Sequence, residues 1–268
     1  MQRPHDMNYS DIICPLCGNN DSSYTVVILG ESKIMGCKIC TNAWTDPPPD
    51  DMTYEAEDFH GQFKFKSLYE LPEQWKEGIL KQVKVIKHGL MSGGKILEIG
   101  CGQGWLLEEL KKEGFNVVGI EPSVSGSVIA AQKGLNIIND KFPSEQLKDD
   151  KYHLIILSQV LEHIKDPELF IDKIMKILCP KGKVLFVQTN WQGLMPRLFK
   201  STWYAWVPDQ HYWHFTPKGL TYILNKKKFI VESVEYYSLE HGNHILSRFT
   251  NIIPNLGDQF HILVRSDN

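Results

Sequence analysis

Two groups of residues in this chain have types and spacing that suit chemistry. The first is Lys95–Trp105, KILEIGCGQGW. Ile96, Leu97 and Ile99 make a short apolar run of the kind that is buried between helical layers. Gly100, Gly102 and Gly104 follow at once. Leu106, Leu107 and Leu110, with Glu108, Glu109, Lys111 and Lys112 between them, then repeat as one face of an amphipathic helix. A strand, a glycine turn and a helix make a nucleotide-type binding site, because glycines admit a ligand close to the backbone and unpaired N–H groups gather where the helix begins. The second group is Cys14-Pro-Leu-Cys17 and Cys37-Lys-Ile-Cys40, two C-x2-C pairs with nineteen residues between them. Four thiolates so arranged fit a tetrahedral structural Zn2+ site. Tyr24–Leu29 and Lys33–Met35 are strand-like, so residues 1–46 read as a zinc ribbon, a closed four-cysteine site with no catalytic role. The alternatives are two unrelated pairs or a redox dithiol. Cys101 and Cys179 are left over and read as small apolar fillers.

The elements that must hold these groups are legible from periodicity and punctuation. Pro47-Pro-Pro-Asp-Asp forms a stiff spacer. Residues 47–94 read as a linker and a helical segment. From about Pro72, the residues Trp75, Ile79, Val83, Ile86 and Leu90 keep helical spacing, and Gly93-Gly94 ends the helix. Asp58–Phe65 is aromatic-rich and either closes over a ligand or packs as a connection. Beyond Lys95 strands and helices alternate. Strands are predicted at 95–99, 117–121, 135–138, 153–157 and 183–189, with helices at about 104–113, 123–132 and 167–178. Ser123 is the expected N-cap of the second of these, and Pro167 opens the third. Two more strands fall at 229–236 and 259–265. The predicted class is α/β: a Rossmann-like, seven-stranded, mostly parallel sheet with helices on both faces over residues 95–268, plus the small N-terminal ribbon.

Composition narrows the classes. The 268 residues are 42% hydrophobic and 23% charged, with a formal net charge of −3. That balance gives no global pull toward nucleic acid or an anionic membrane. No apolar run reaches the roughly 18 residues of a membrane span. The N-terminal Met1–Asp6 lacks the apolar core of a signal peptide. The expected compartment is the reducing cytoplasm, where six cysteines serve as ligands or thiols rather than disulfides.

The glycine spacing discriminates between cofactors. A dinucleotide turn needs G-x-G-x-x-G, its third glycine allowing close helix packing; here Trp105 occupies that place. Glu121, seventeen residues after Gly104, can accept ribose hydroxyls in either kind of cofactor. On these residues the sequence resembles the class I S-adenosylmethionine-dependent methyltransferases. Glu98-Ile-Gly-Cys-Gly-Gln-Gly104 is similar to their motif I, and Gly119-Ile-Glu-Pro-Ser123 to their strand-2 motif. Tyr152–His163 with Asp166-Pro167 resembles their strand-4 stretch, and Pro180-Lys-Gly-Lys-Val-Leu185 the lead into strand 5. His214-Phe-Thr-Pro-Lys-Gly-Leu220, with Leu224 and Phe229, resembles a later motif, so the likeness runs in order over 95–265. His153 stands where that family has Asp, and Asn225-Lys-Lys-Lys228 lacks the family's Gly before Phe229. The likeness is strongest to the branch that methylates small molecules, including nucleotide-linked sugars, some members of which carry an N-terminal zinc ribbon. It implies S-adenosyl-L-methionine as cofactor beside the structural Zn2+. Gly100, Gly102 and Gln103, with Glu98 and Cys101 in the same turn, would cradle its methionine end. Glu121 would bind the ribose hydroxyls and Pro122 pack near the adenine. Asp140 would accept from the adenine amino group, and Ser158 and Gln159 would line the floor.

For an oxygen acceptor, methyl transfer asks for positioning and a base. His163, His211 and His214 are the candidates. The alternative for His163 is a helix-start residue bonded to backbone; for the other two, a substrate contact or lid packing. An H-x2-H metal pair at 211 and 214 has no further ligands nearby in the sequence. Residues 191–213, with Trp191, Phe199, Trp203, Tyr204, Trp206, Tyr212 and Trp213, read as a functional loop that stacks on a sugar or ring, or as an aromatic plug. Residues 238–257, with His241 and His244, form a second insertion that would complete the pocket. The expected function is methylation of a small molecule on oxygen or carbon, with a nucleotide- or polymer-linked sugar as acceptor. The alternatives are an RNA methyltransferase whose ribbon holds the RNA, disfavoured by the acidic balance, and a non-enzymatic binding module, disfavoured by the intact turn and Glu121. Neither a membrane nor any particular oligomer is implied.

Overall fold

The structure is a computed structural model, in which residues 13–20, 22–50, 65, 67–89, 93–238 and 255–267 are described. The elements in chain order are β1 (Ser23–Leu29), β2 (Ser32–Cys37), β3 (Ala43–Asp46), α1 (Glu73–Gly89), β4 (Lys95–Ile99), α2 (Trp105–Lys112), β5 (Asn116–Ile120), α3 (Val124–Gln132), β6 (Asn136–Ile138), β7 (Tyr152–Ser158), α4 (Pro167–Lys176), β8 (Leu178–Thr189), α5 (Leu194–Phe199), β9 (Trp213–His214), α6 (Pro217–Lys226), β10 (Phe229–Tyr237) and β11 (Gln259–Ser266). The aromatic stretch from Asp58 to Lys64, His241 and His244, and the first twelve residues lie outside the described residues.

The central runs of β4, β7 and β8 are mainly apolar without alternation, and Ile96, Leu97, Ile155, Ile156 and Leu185 are fully buried. Such strands need cover on both faces, which a parallel sheet between helical layers supplies. The sheet runs β10-β11-β8-β7-β4-β5-β6. β4 pairs in parallel with both β5 and β7, while β11 lies antiparallel between β8 and β10. The chain leaves β4 to one side through β5 and β6, then returns to β7 on the other. That reversal opens a crevice at the carboxyl ends of these strands, where ligands bind in such sheets.

Local chemistry starts the helices. The Ser123 hydroxyl accepts from Gly126 N–H, the Asp166 carboxylate from Leu169 N–H and the Thr216 hydroxyl from Gly219 N–H; Pro167 and Pro217 open their helices. Two boundaries differ from expectation. α1 is described only to Gly89 rather than to the Gly93-Gly94 stop. β8 begins at Leu178, not Lys183, because Leu178 pairs with Tyr152 before Lys183 pairs with Leu154. Cys179–Gly182 loop out between these two pairs, so Cys179 sits within β8.

The ribbon is a four-stranded antiparallel sheet, β1-β2-β3-β9. Its last strand comes from the chain beyond β8: Ala43 pairs with His214 and Trp44 with Trp213. Cys14, Cys37, Cys40, Met35 and Trp44 share one apolar cluster with Tyr212, Phe215, Leu220 and the large sheet. A second cluster, under α1 and α2, covers the opposite face. No helix among the described residues is long and apolar enough to cross a membrane.

Candidate active site

The site grows from the turn between β4 and α2. Gly100, Gly102 and Gly104 all have left-handed backbones, with φ of 71°, 52° and 74°. A Cβ on Gly100 would stand 2.7 Å from Val160, and one on Gly104 2.5 Å from Leu135. Here the third glycine seats the turn against the neck of α3 and β6, the role that Trp105 cannot take. Trp105 instead lies beneath the Lys133 ammonium, which donates to Gln103 O at 2.8 Å. Burial brings the pKa of Lys133 down to about 8, partly offset by Glu108. Glu121, 4% exposed, is held by two backbone donors: Gly102 N–H to Oε2 and Ser123 N–H to Oε1, each at 2.8 Å.

Two cavities open from this turn and meet at Gly100, Ser158 and Gln159. The first, of about 360 Å³, is walled by Glu121, Pro122, Asp140, Phe142, His163 and Phe170. Phe142 and Phe170 stand edge to face at 5.2 Å. Ser144 and the Lys141 N–H bind the Asp140 carboxylate and hold its pKa low. The second cavity, of about 740 Å³, is walled by Glu98, Cys101, Gly102, Gln103, Trp105, Trp75, Gln82, Tyr204, Tyr237 and Gln259, among others. Glu98, Gly100, Cys101, Gly102, Gln103, Glu121, Pro122, Asp140, Ser158 and Gln159 thus all line one continuous cleft. Buried Glu98 Oε2 and Gln82 Oε1 have no hydrogen-bond partner among the described residues. Burial, reinforced by the charge of Glu121, pushes Glu98 well above the usual carboxylate range. A buried, unpaired acid facing a cleft fits a ligand that brings a cation, and an S-adenosylmethionine ammonium is such a group.

The three histidines separate. His163, in the turn Leu161–His163, faces the first cavity, with Nδ1 3.2 Å from Gln210 O. His211 lies behind it, ring to ring at 4.7 Å, and is pushed well below the usual imidazole range by burial and then by its two histidine neighbours. His214 is farther still, in the seam with the ribbon. Its Nε2 lies 3.2 Å from Thr45 Oγ1, its ring is edge-on to Trp206, and burial lowers its pKa to about 3. Ligand atoms of Glu162, His163 and His211 fall within 4.8 Å of one another, a grouping that the spacing of 211 and 214 does not suggest. Most of the aromatic segment is turned away from the cleft: Trp191, Trp203 and Trp206 pack on Ile34 and Ala43 of the ribbon. Of its aromatics only Tyr204 lines the cleft. Gln82 and Gln259 escaped the sequence reading, although a glutamine on the apolar stripe of α1 was a usable signal.

The cysteines converge as well. Cys14 and Cys40 sulfurs are 3.7 Å apart and Cys17 and Cys37 sulfurs 3.6 Å, with all four within 4.8 Å. Thiolates on a tetrahedral zinc stand roughly 3.8 Å apart. Both knuckles carry the same pair of backbone bonds: Gly18 N–H to Cys14 O and Cys14 N–H to Asn19 O, matched by Thr41 N–H to Cys37 O and Cys37 N–H to Asn42 O. The donor set fits structural zinc.

Comparison with known proteins agrees with this geometry. The profile of a methyltransferase-domain family matches residues 68–234. A ubiquinone biosynthesis O-methyltransferase of Bartonella bacilliformis is 33% identical over 134 residues, 48% of this chain and 52% of that protein. One of Acinetobacter baumannii is 27% identical over 172 residues, 61% and 69% of the two chains. The chain spans about half the length of the Bartonella relative. Among solved structures, an S-adenosylmethionine-dependent methyltransferase of Mesorhizobium loti superposes with a TM-score of 0.55 at 17% identity, covering 74% of this chain and all of that one. Magnesium protoporphyrin IX methyltransferase of Synechocystis, with bound SAH, gives 0.55 at 15%, covering 73% and 84%. The chain belongs to the methyltransferase-domain family, with the class I fold of its S-adenosylmethionine-dependent members.

Proposed function

We propose that this protein transfers a methyl group from S-adenosylmethionine to an oxygen of a small-molecule acceptor. The observation that carries the reading is the joined cleft: a glycine turn, a pinned carboxylate on one side and a buried unpaired one on the other. The cofactor supplies a methyl on a sulfonium, already activated toward an in-line nucleophile. Glu121 keeps lone pairs for the ribose hydroxyls while its backbone donors fix its direction. Asp140 and the Phe142–Phe170 pair suit the adenine. Glu98, unpaired and buried, receives the ammonium. His163 is the histidine we assign as base: with Nδ1–H donating to Gln210 O, Nε2 is the basic nitrogen. Oxygen is preferred to carbon because the relatives named above are O-methyltransferases. A nucleotide- or polymer-linked sugar is the acceptor to which the sequence resemblance points. We place the activity in a reducing cytoplasm, which keeps Cys14, Cys17, Cys37 and Cys40 available to zinc.

Titration calorimetry with S-adenosylhomocysteine, followed by transfer of labelled methyl, tests this reading. Gly102→Val, which places a branched side chain on a left-handed backbone in the cradle, should lose at least about 100-fold in affinity while keeping its circular dichroism. Failure of the unmodified protein to bind removes the proposal.

A further inference from the structure

α1 separates the cleft from a groove on its other side, and that groove has a donor set of its own. We infer that it binds an oxyanion carried on an apolar body, a carboxylate or a phosphate ester, between Lys81 and Lys84 of α1 and His261 of β11. Its occupation does not depend on the function proposed above.

The groove exists because α1 stops short of the sheet edge. The helix lies over β11, where a Cβ on Gly89 would stand 3.0 Å from Leu263, and β10 beyond it is the edge strand. The space between helix and edge is a cavity of about 660 Å³. Lys81, Lys84, Val85 and His88 form its helix wall as one stripe at helical spacing, while Gln82 lines the cleft instead. Tyr237 is the residue that stands on both walls.

β11 places one polar side chain on this floor. Phe260, Ile262 and Val264 pack on the opposite face, and His261, 2% exposed, stands beside Leu263 on the α1 side. Burial first, then the charge of Lys81, brings the pKa of His261 down to about 3, so the ring is neutral and carries one proton. Tyr237 decides which nitrogen holds it. Burial and then Asp258 push that phenol up, so it keeps its proton, and its hydroxyl lies 2.9 Å from His261 Nε2. With the phenol donating to Nε2, the imidazole N–H is at Nδ1. Nδ1 is buried and has no partner among the described residues. A buried donor left unpaired is a cost that an apolar residue at 261 would not carry, and an acceptor oxygen entering the groove removes it.

Charge selects the acceptor. Lys81 Nζ lies 4.8 Å from the centre of the Tyr237 ring, which stands edge-on to His261 at 4.6 Å, so ammonium and imidazole converge at one end of the groove. Lys84 adds a second ammonium on the same stripe. Elsewhere on the wall Lys183 pairs with Glu232 at 2.6 Å, and Arg265 lies 3.4 Å from the same acid. Glu235, exposed on β10, is the remaining acid, one carboxylate against two lysines. Val85 and Leu263 supply apolar surface beside the donors, which suits a ligand whose oxyanion is carried on hydrocarbon.

The test is titration calorimetry on the full zinc-loaded chain at low ionic strength, with and without saturating S-adenosylhomocysteine. The probes are phenyl phosphate, benzoate and, as a cation of similar shape, benzylammonium. We expect one anion bound per chain, unaffected by S-adenosylhomocysteine, with the preference between phosphate and carboxylate naming the source. Lys84→Ala, at an exposed position, should raise Kd about two- to fivefold, the range of an exposed ion pair. His261→Gln, whose amide still reaches Tyr237 but leaves no donor at the Nδ1 position, should raise it about tenfold or more, as for a lost hydrogen bond to a charged group. Lys87→Ala, which removes a lysine paired with Glu113 on another face of α1, should leave Kd unchanged. The His261 Nδ1 resonance of the unmodified protein should shift on titration, which reads the site even if His261→Gln misfolds. The assignment fails if neither anion binds, if benzylammonium binds as tightly, if S-adenosylhomocysteine excludes the anion, or if the Nδ1 resonance stays unmoved. It fails equally if Lys84→Ala or a folded His261→Gln keeps the original Kd, or if Lys87→Ala weakens binding as much as Lys84→Ala does.

Discussion

Glu98 pays for its burial and has something to gain from a ligand. It ends in the cleft with one oxygen unpaired, fully enclosed, and near the charge of Glu121. Its pKa in the folded protein is raised, so between the ordinary carboxylate value of 4.5 and that raised value the folded state holds a proton that the unfolded state has released. Stability of the ligand-free protein therefore falls as pH rises through that window. Glu98→Gln removes the cost of the charge, about 1–3 kcal/mol, and should raise the ligand-free melting temperature at pH 8 by about 2–8 °C. If Glu98 receives the ammonium as proposed, the same change should weaken donor binding, because that counter-charge is lost. Calorimetry of both proteins at pH 5 and pH 8 checks this. A difference that does not grow with pH would show that Glu98 titrates normally.

The turn into α2 depends on close approach between elements. Gly104 has φ 74°, and a Cβ there would meet Leu135 at 2.5 Å and Ala130 Cβ at 3.0 Å. Neither α3 nor the run into β6 can retreat easily, since Ala130 and Leu135 belong to the cluster beneath α2. Gly104→Ala should cost about 2–4 kcal/mol from strain and overpacking together. Gly104→Ala with Leu135→Ala should recover part of it if the clash contributes, as urea unfolding of the three variants would read. An unchanged midpoint for Gly104→Ala would mean that the turn is looser than its geometry states.

Among the described residues, the ribbon is tied to the segment that follows β8. β9 completes the ribbon sheet, Thr45 donates to His211 O at 2.6 Å, Trp191 Nε1–H donates to Thr41 O at 3.2 Å, and Asn42 Oδ1 accepts from Thr216 N–H. These contacts brace the segment that carries Tyr204 and His211. We expect one zinc per chain by mass spectrometry and its loss in Cys17→Ser. Since binding a structural zinc is folding free energy, that variant should unfold in one transition lowered by about 10 °C or more. A separate early transition, with the main one unmoved, would make the ribbon an independent module.

The glycine spacing, the two cysteine pairs and the alternation of apolar runs with caps could be read along the chain. Each is a local constraint: a left-handed backbone needs glycine, a knuckle needs its two sulfurs three residues apart, and a parallel strand covered on both faces is apolar throughout. The glycine turn, the ribbon and the sheet follow from such constraints. Long-range folding separated His163 from His214, whose two-residue strand joins the ribbon, and turned Trp191, Trp203 and Trp206 toward Ile34 and Ala43. It also brought Gln159 against Gln259, one hundred positions away, and Gln259 to Tyr204. No local periodicity encodes such a meeting, because it depends on the order in which β7, β8 and β11 lie side by side in the sheet.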